Sequence, residues 1–128
     1  PLISYSIDYA KKSKLIDRVF VSTDGTNIAS VSRKFGAEVV IRPKSLCNDT
    51  IMPDHAVLHT IDYVKNFLNY SFDYVVFLQP TTPLRQLGEL DKAIKYCVTE
   101  KFDTVFSSMD YKPFLWRKKK TVYLSSVI

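Results

Sequence analysis

The sequence predicts an α/β domain in which helices cross over a mostly parallel sheet, and three observations carry that prediction. Helical and strand-like segments alternate along the chain, with helices of roughly three or four turns, the pattern of βαβ crossovers. The run Tyr74-Val75-Val76-Phe77-Leu78 is continuously apolar and rich in aromatic and β-branched types, as expected of a strand buried on both faces. It stops at Gln79-Pro80-Thr81-Thr82-Pro83-Leu84-Arg85, where two prolines forbid a continuing strand or helix. Polar side chains are thereby left on a stiff turn at a strand's carboxyl end, the edge where open α/β sheets bind ligands.

The elements follow in order. Pro1, with Ile3, Ile7 and Ala10 at helical spacing, predicts a first helix, proline being suited to a first helical turn. Arg18 to Ser22 is a short strand, after which Thr23, Asp24 or Thr26 can cap a second helix with the apolar stripe Ile28, Val31 and Phe35. Gly36 supplies its left-handed stop. Ala37 to Ile41 is another strand, ending in Arg42-Pro43, and Lys44 to Met52 has the aperiodicity of a surface loop. Pro53 opens a third helix with Val57, Ile61, Val64 and Leu68 on one face; Leu90, Ile94 and Cys97 mark a fourth. Thr104 to Ser108 is a further strand, Tyr111 to Phe114 a turn, and Thr121 to Val127 an added strand, antiparallel in one reading.

The 128 residues suffice for one domain with one core. No apolar run approaches the roughly 18 residues of a membrane span, and no signal peptide is visible. Cys47 and Cys97 lack metal-type spacing and read as two reduced thiols of a cytoplasmic protein. The formal charge of +5 suits an anionic partner, although much of the excess lies in Arg117-Lys118-Lys119-Lys120, a run expected to be a solvated turn.

In a parallel sheet the groups after each strand converge. Here they are Ser22-Thr23-Asp24, Arg42-Pro43, Gln79-Pro80-Thr81-Thr82 with Arg85, and Ser107-Ser108. Amides and hydroxyls both donate and accept, and arginine holds a carboxylate or phosphate bidentately, so this rim suits a polyhydroxylated anion. The bland alternative is that these residues merely end strands and cap helices. His55 and His59 share a helix face at metal-ligand spacing but lack a third ligand, and are expected to be solvated. Trp116 with Phe114 and Leu115 offers a stacking surface that local packing explains equally. Gly25, Gly36 and Gly88 form no phosphate-cradling loop, and no carboxylate pair is spaced for a divalent metal.

Read together, Pro1-Leu2-Ile3, Asp17 to Asp24 (DRVFVSTD), Phe35 to Val39 (FGAEV), Arg42-Pro43, Asp49-Thr50 and Leu78 to Arg85 (LQPTTPLR) resemble, in order and spacing, the N-acylneuraminate cytidylyltransferase family. The resemblance implies a Rossmann-like three-layer α/β/α nucleotidyltransferase domain that transfers CMP from CTP to the anomeric hydroxyl of a 2-keto sugar acid, releasing pyrophosphate with Mg²⁺. It implies nucleotide contacts from Arg42, Asp49, Thr50, Thr23 and Asp24, and substrate contacts from Gln79, Pro80, Thr81, Thr82 and Arg85. Gln-Pro-Thr-Thr-Pro favours nine-carbon acids of the sialic, legionaminic or pseudaminic type over octulosonate. Against the family's pattern, residues 1–128 read as a single incomplete domain. A central first strand with a basic, glycine-containing triphosphate loop is expected before them, and the paired aspartates for Mg²⁺ and much of the dimer interface after them. The expected partners are CTP, a sugar acid and a second copy, with neither nucleic acid nor membrane. A noncatalytic ligand-binding module on the same fold is the alternative; a signal receiver would need an acidic cluster where only Asp24 ends a strand.

Overall fold

Pro1 is the N-cap of α1 (Leu2–Lys11), whose spacing places Ile7 and Ala10 inward; Ile7 is 1% exposed. Ile7 packs with Val21 and Ala37, flanked by Ile3, Val19 and Phe35, and this cluster anchors the helix to the strands. The computed structural model describes residues 1–48, 52–108, 115–119 and 122–126, the last two ranges by their backbone. The expected turn at 111–114 and the residues Asp49 and Thr50 lie outside them.

β1 (Phe20–Thr23) and β2 (Glu38–Ile41) form a parallel pair with α2 (Thr26–Lys34) as the crossover between them, the βαβ unit that the alternation predicts. The register sets Phe20 opposite Glu38 and Thr23 opposite Ile41, and the Arg42 N–H extends the ladder to the Thr23 carbonyl at 3.0 Å. Arg18 fastens the start of the pair: its guanidinium forks onto the Glu38 carboxylate at 2.8 and 2.5 Å and lies 4.9 and 4.7 Å from the ring centres of Phe20 and Tyr70.

α2 departs from the expected stripe. Ala29 and Ser32 are its buried residues, whereas Ile28 is 47% exposed. Small residues let the helix lie close to both strands, and Ser32 enters that contact with its hydroxyl donating to the Ile28 carbonyl at 2.7 Å, so nothing polar is stranded. Nor do Thr23, Asp24 or Thr26 cap the helix. Gly25 is the N-cap, and the Thr23 hydroxyl instead accepts the Gly25 N–H at 3.1 Å. The stop is as expected: Gly36 has φ +79°, its N–H donates to the Arg33 carbonyl at 2.9 Å, and Ala37 N–H donates to Ser32 at 3.0 Å, the paired bonds of a Schellman ending.

A short 3₁₀ turn (Lys44–Leu46) leads toward α3 (Pro53–Asn66), which has proline at its first position, buries Val64 and packs against β1. It ends before Leu68. α4 (Glu89–Glu100) buries Leu90.

Two expected strands do not form. Tyr74 to Leu78 and Thr104 to Ser108 carry no ladder, and Phe77 is 54% exposed. An apolar β-rich run becomes a strand only where a neighbour supplies hydrogen-bond partners. Among the described residues, the parallel sheet has the order β1-β2, so β1 has no second partner. The Tyr74–Leu78 run instead lines a groove of about 710 Å³ together with Val19 to Ser22.

The antiparallel expectation near the C-terminus is met by β4 (Val122–Ser126), but its partner is β3 (Leu115–Lys119), with Leu115 opposite Ser126 and Lys119 opposite Val122. Arg117 to Lys119 therefore stand in a strand rather than a turn.

Gly36→Ala in the full-length protein should cost about 1–2 kcal/mol, because a Cβ there meets the Lys11 ammonium, which donates to the Phe35 carbonyl, and must also hold a left-handed backbone. Denaturant unfolding measures it. An unchanged midpoint would show that this ending does not constrain the βαβ unit.

Candidate functional site

The carboxyl ends of β1 and β2 bring Ser22, Thr23, Asp24 and Arg42 together. Arg42 follows β2 directly and lies beside the β1 end, where Nη2 stands 3.6 Å from the Asp24 carboxylate. Asp24 is half exposed and Arg42 a quarter exposed, so the pair orients the guanidinium more than it stabilises the fold. Ser22 Oγ and Arg42 Nε are buried yet have no hydrogen-bond partner among the described residues. Such groups cost free energy until something fills them, and a ligand oxygen can do so. Thr23 is 2% exposed and its hydroxyl serves the turn to Gly25, so its contribution here is to shape the loop.

Cys47 closes this polar end. Its thiol lies 3.2 Å from the Pro43 carbonyl, and burial, reinforced by a hydrogen bond to Asp24, pushes its pKa above the ordinary thiol value, with Arg42 opposing. The sequence reads Cys47 only as a reduced thiol; its place five residues after a strand-ending arginine is the signal that could have put it on this rim.

Asp24, Arg42 and Cys47 line the same groove as Leu78 and Pro80, so the strand-end rim and the start of the proline turn share one cavity. Apolar side chains supply much of the remaining wall, from Ile3 and Ile7 of α1 and Ala56, Val57 and Ile61 of α3, with Asp17 and Arg18 also on the lining. Gln79, Thr81 and Thr82 stand exposed on the turn, which closes through the Thr82 N–H on the Gln79 carbonyl at 3.3 Å. Arg85 is directed inward: its guanidinium donates to Ser6 Oγ at 3.1 Å and to the Gln79 carbonyl at 2.5 Å. Ser107 and Ser108 follow an unpaired segment and do not line the groove.

The profile of the family described as "Cytidylyltransferase" matches residues 1–120. The chain belongs to that family. It is 31% identical over 110 residues to an N-acylneuraminate cytidylyltransferase of Escherichia coli O18:K1:H7, covering 84% of this chain and 25% of that protein. It is 36% identical over 118 residues to a CMP-N,N'-diacetyllegionaminic acid synthase of Legionella pneumophila, covering 88% of this chain and 49% of the relative. A pseudaminic acid cytidylyltransferase of Campylobacter jejuni is 29% identical over 113 residues, with coverage of 88% and 48%. The chain thus spans a quarter to a half of the length of these relatives. Both the rim and the turn lie within the part matched by the cytidylyltransferase family, and β4 lies beyond it.

Among the described residues, no three His, Cys, Asp or Glu side chains are grouped to hold a metal ion. His55 is exposed, whereas His59, expected to be solvated, is half-buried with Nδ1 unpartnered among the described residues. No described helix is long and apolar enough to cross a membrane.

At pH 8 the raised pKa leaves Cys47 less thiolate than a free cysteine, so its alkylation by iodoacetamide should be slower than that of a model thiol. Asp24→Asn should speed it. Peptide mapping reads both; alkylation at the free-thiol rate in the unmodified protein would contradict the assignment.

Proposed function

We propose that the full protein carrying this chain is a cytidylyltransferase that transfers CMP from CTP to a nine-carbon 2-keto sugar acid of the sialic, legionaminic or pseudaminic type, releasing pyrophosphate. The carrying observation is the pair of buried, unpartnered groups, Ser22 Oγ and Arg42 Nε, at the polar end of a groove that Pro80 also lines. Phosphate or ribose oxygens would satisfy both groups, and Asp24 holds the guanidinium in place for them.

In this reading Arg42 and Ser22 hold the nucleotide, with Asp49 and Thr50 in the loop that follows, as the resemblance implies. Thr23 and Asp24 shape and orient that end. Gln79, Thr81 and Thr82 face the sugar acid, where an amide and two hydroxyls can both donate to a carboxylate and accept from hydroxyls. Fixing both substrates on one edge turns a bimolecular transfer into an effectively unimolecular one. Mg²⁺, when bound, would neutralise charge on the departing pyrophosphate, with ligands from residues other than those described. A homodimer and a cytoplasmic setting accompany the resemblance, and the free thiols Cys47 and Cys97 accord with the latter.

A pyrophosphate-release assay on the full-length protein across sialic, legionaminic, pseudaminic and octulosonic acids should give turnover with a nine-carbon acid. No release with any of them would overturn the reading, and preference for octulosonate would move it to a neighbouring specificity. Gln79→Ala should lower kcat/KM roughly 5- to 150-fold, the equivalent of about 1–3 kcal/mol for an unpaired polar group in a closed site, while shifting the melting temperature little. A sharp drop in melting temperature with turnover intact would make Gln79 a structural residue.

A further inference from the structure

Ser6 and Tyr9 stand at i and i+3 on α1 and so share one helix face, beside the apolar face of Ile7 and Ala10, and Ser13 follows just past the helix end. All three hydroxyls engage the segment that runs from Gln79 into α4. Ser6 is buried, and its oxygen accepts from Arg85 at 3.1 Å. The other arm of that guanidinium donates to the Gln79 carbonyl at 2.5 Å, and its carbon lies 5.7 Å from the centre of the Tyr9 ring. The Tyr9 hydroxyl donates to the Gln86 carbonyl at 3.1 Å and accepts the Leu90 N–H at 3.1 Å. Ser13 donates to the Asp91 carboxylate, whose other oxygen accepts the Lys14 N–H at 3.2 Å.

Two of these contacts do work that local sequence leaves undone. α4 begins at Gly88 with no side-chain cap, so the amide of its second residue, Leu90, would be orphaned were Tyr9 not there to accept it. The Gln79 carbonyl belongs to the peptide bond that precedes Pro80, and Arg85 fixes its direction relative to α1. The orientation of that bond sets where the exposed Gln79, Thr81 and Thr82 side chains project. An arginine free to grip substrate would not have both arms on protein oxygens.

We propose that Arg85, with Ser6 and Tyr9 behind it, is a positioning residue that holds the Gln79 turn for the sugar acid, rather than a substrate contact. This rests on the cytidylyltransferase function proposed above. A ligand contact and a positioning contact differ in what happens when α1, not Arg85, is changed.

The test uses the full-length protein with Ser6→Ala, Tyr9→Phe, Arg85→Ala and the double variant Ser6→Ala/Arg85→Ala. Alanine at position 6 improves intrinsic helix propensity, and phenylalanine at position 9 keeps the ring, so neither threatens α1. Hydrogen exchange without ligand and steady-state kinetics are both read. Ser6→Ala and Tyr9→Phe should each speed exchange in peptides spanning residues 79–90 by about two- to tenfold, the range of one hydrogen bond, and leave β1 and β2 unchanged. The KM for the sugar acid should rise by a similar factor while that for CTP holds, and Ser6→Ala should add nothing on top of Arg85→Ala. Unchanged exchange in 79–90, or faster exchange with the sugar-acid KM unmoved, would overturn the proposal, as would additive effects of Ser6→Ala and Arg85→Ala. If the wild type turns over no sugar acid while exchange responds as expected, the functional reading fails and the tie from α1 to the turn stands. Turnover with silent exchange would mean the reverse.

Discussion

The seating of α1 is the constraint on which the rest depends, because that helix touches both halves of the site by different physics. Its apolar residues bury against Val21 and Ala37, and so fix it to the strands whose ends carry Ser22, Asp24 and Arg42. Its Ser6 and Tyr9 hydroxyls bind the segment from Arg85 to Leu90 through directional bonds at a definite distance. Apolar burial tolerates small slides, whereas hydrogen bonds near 3 Å do not. The strand-end rim and the proline turn therefore have a relative position set through one helix, although Arg42 and Gln79 lie 37 positions apart in sequence.

The groove between them is lined at the strand ends by Ser22, Asp24 and Arg42 and along much of its length by apolar side chains. Arg42 is oriented by Asp24 through Nη2 at 3.6 Å, while its buried Nε has no partner among the described residues. The Arg18–Glu38 pair has the opposite character: it is bidentate, flanked by two rings, and ties β1 to β2. Two arginines flanking neighbouring strands, one before β1 and one after β2, thus serve different ends, and their partners' geometry distinguishes them.

Much of the fold was legible because local signals suffice for it. Pro1 and Pro53 start helices, Gly36 ends one in a left-handed turn, and the alternation yields the parallel β1–α2–β2 unit. What failed depends on distant partners. Tyr74 to Leu78 has the composition of a buried strand but no paired neighbour among the described residues. The α2 stripe was misplaced because large apolar residues signal a buried face more loudly than Ala29 and Ser32, which win where helix and strands approach closely. For the site, strand-end logic located Asp24 and Arg42 without a structure. Arg85 was legible as important but not as tied to Ser6, because a contact across 79 positions leaves no local trace. The hydroxyl spacing of Ser6, Tyr9 and Ser13 was visible, yet serines beside an apolar stripe carry no weight until something is seen opposite them.

The central claim is that one edge holds the nucleotide at Arg42 and the sugar acid at Gln79. Nitrogen spectra of the full-length protein, following the Arg42 Nε–H and the Gln79 side-chain amide during separate titrations with CTP and a nine-carbon 2-keto acid, test it most directly. The account predicts that CTP moves Arg42, that the sugar acid moves Gln79, and that each response disappears in Arg42→Lys or Gln79→Ala respectively. Saturable binding of both ligands with the Arg42 and Gln79 signals unmoved would contradict it.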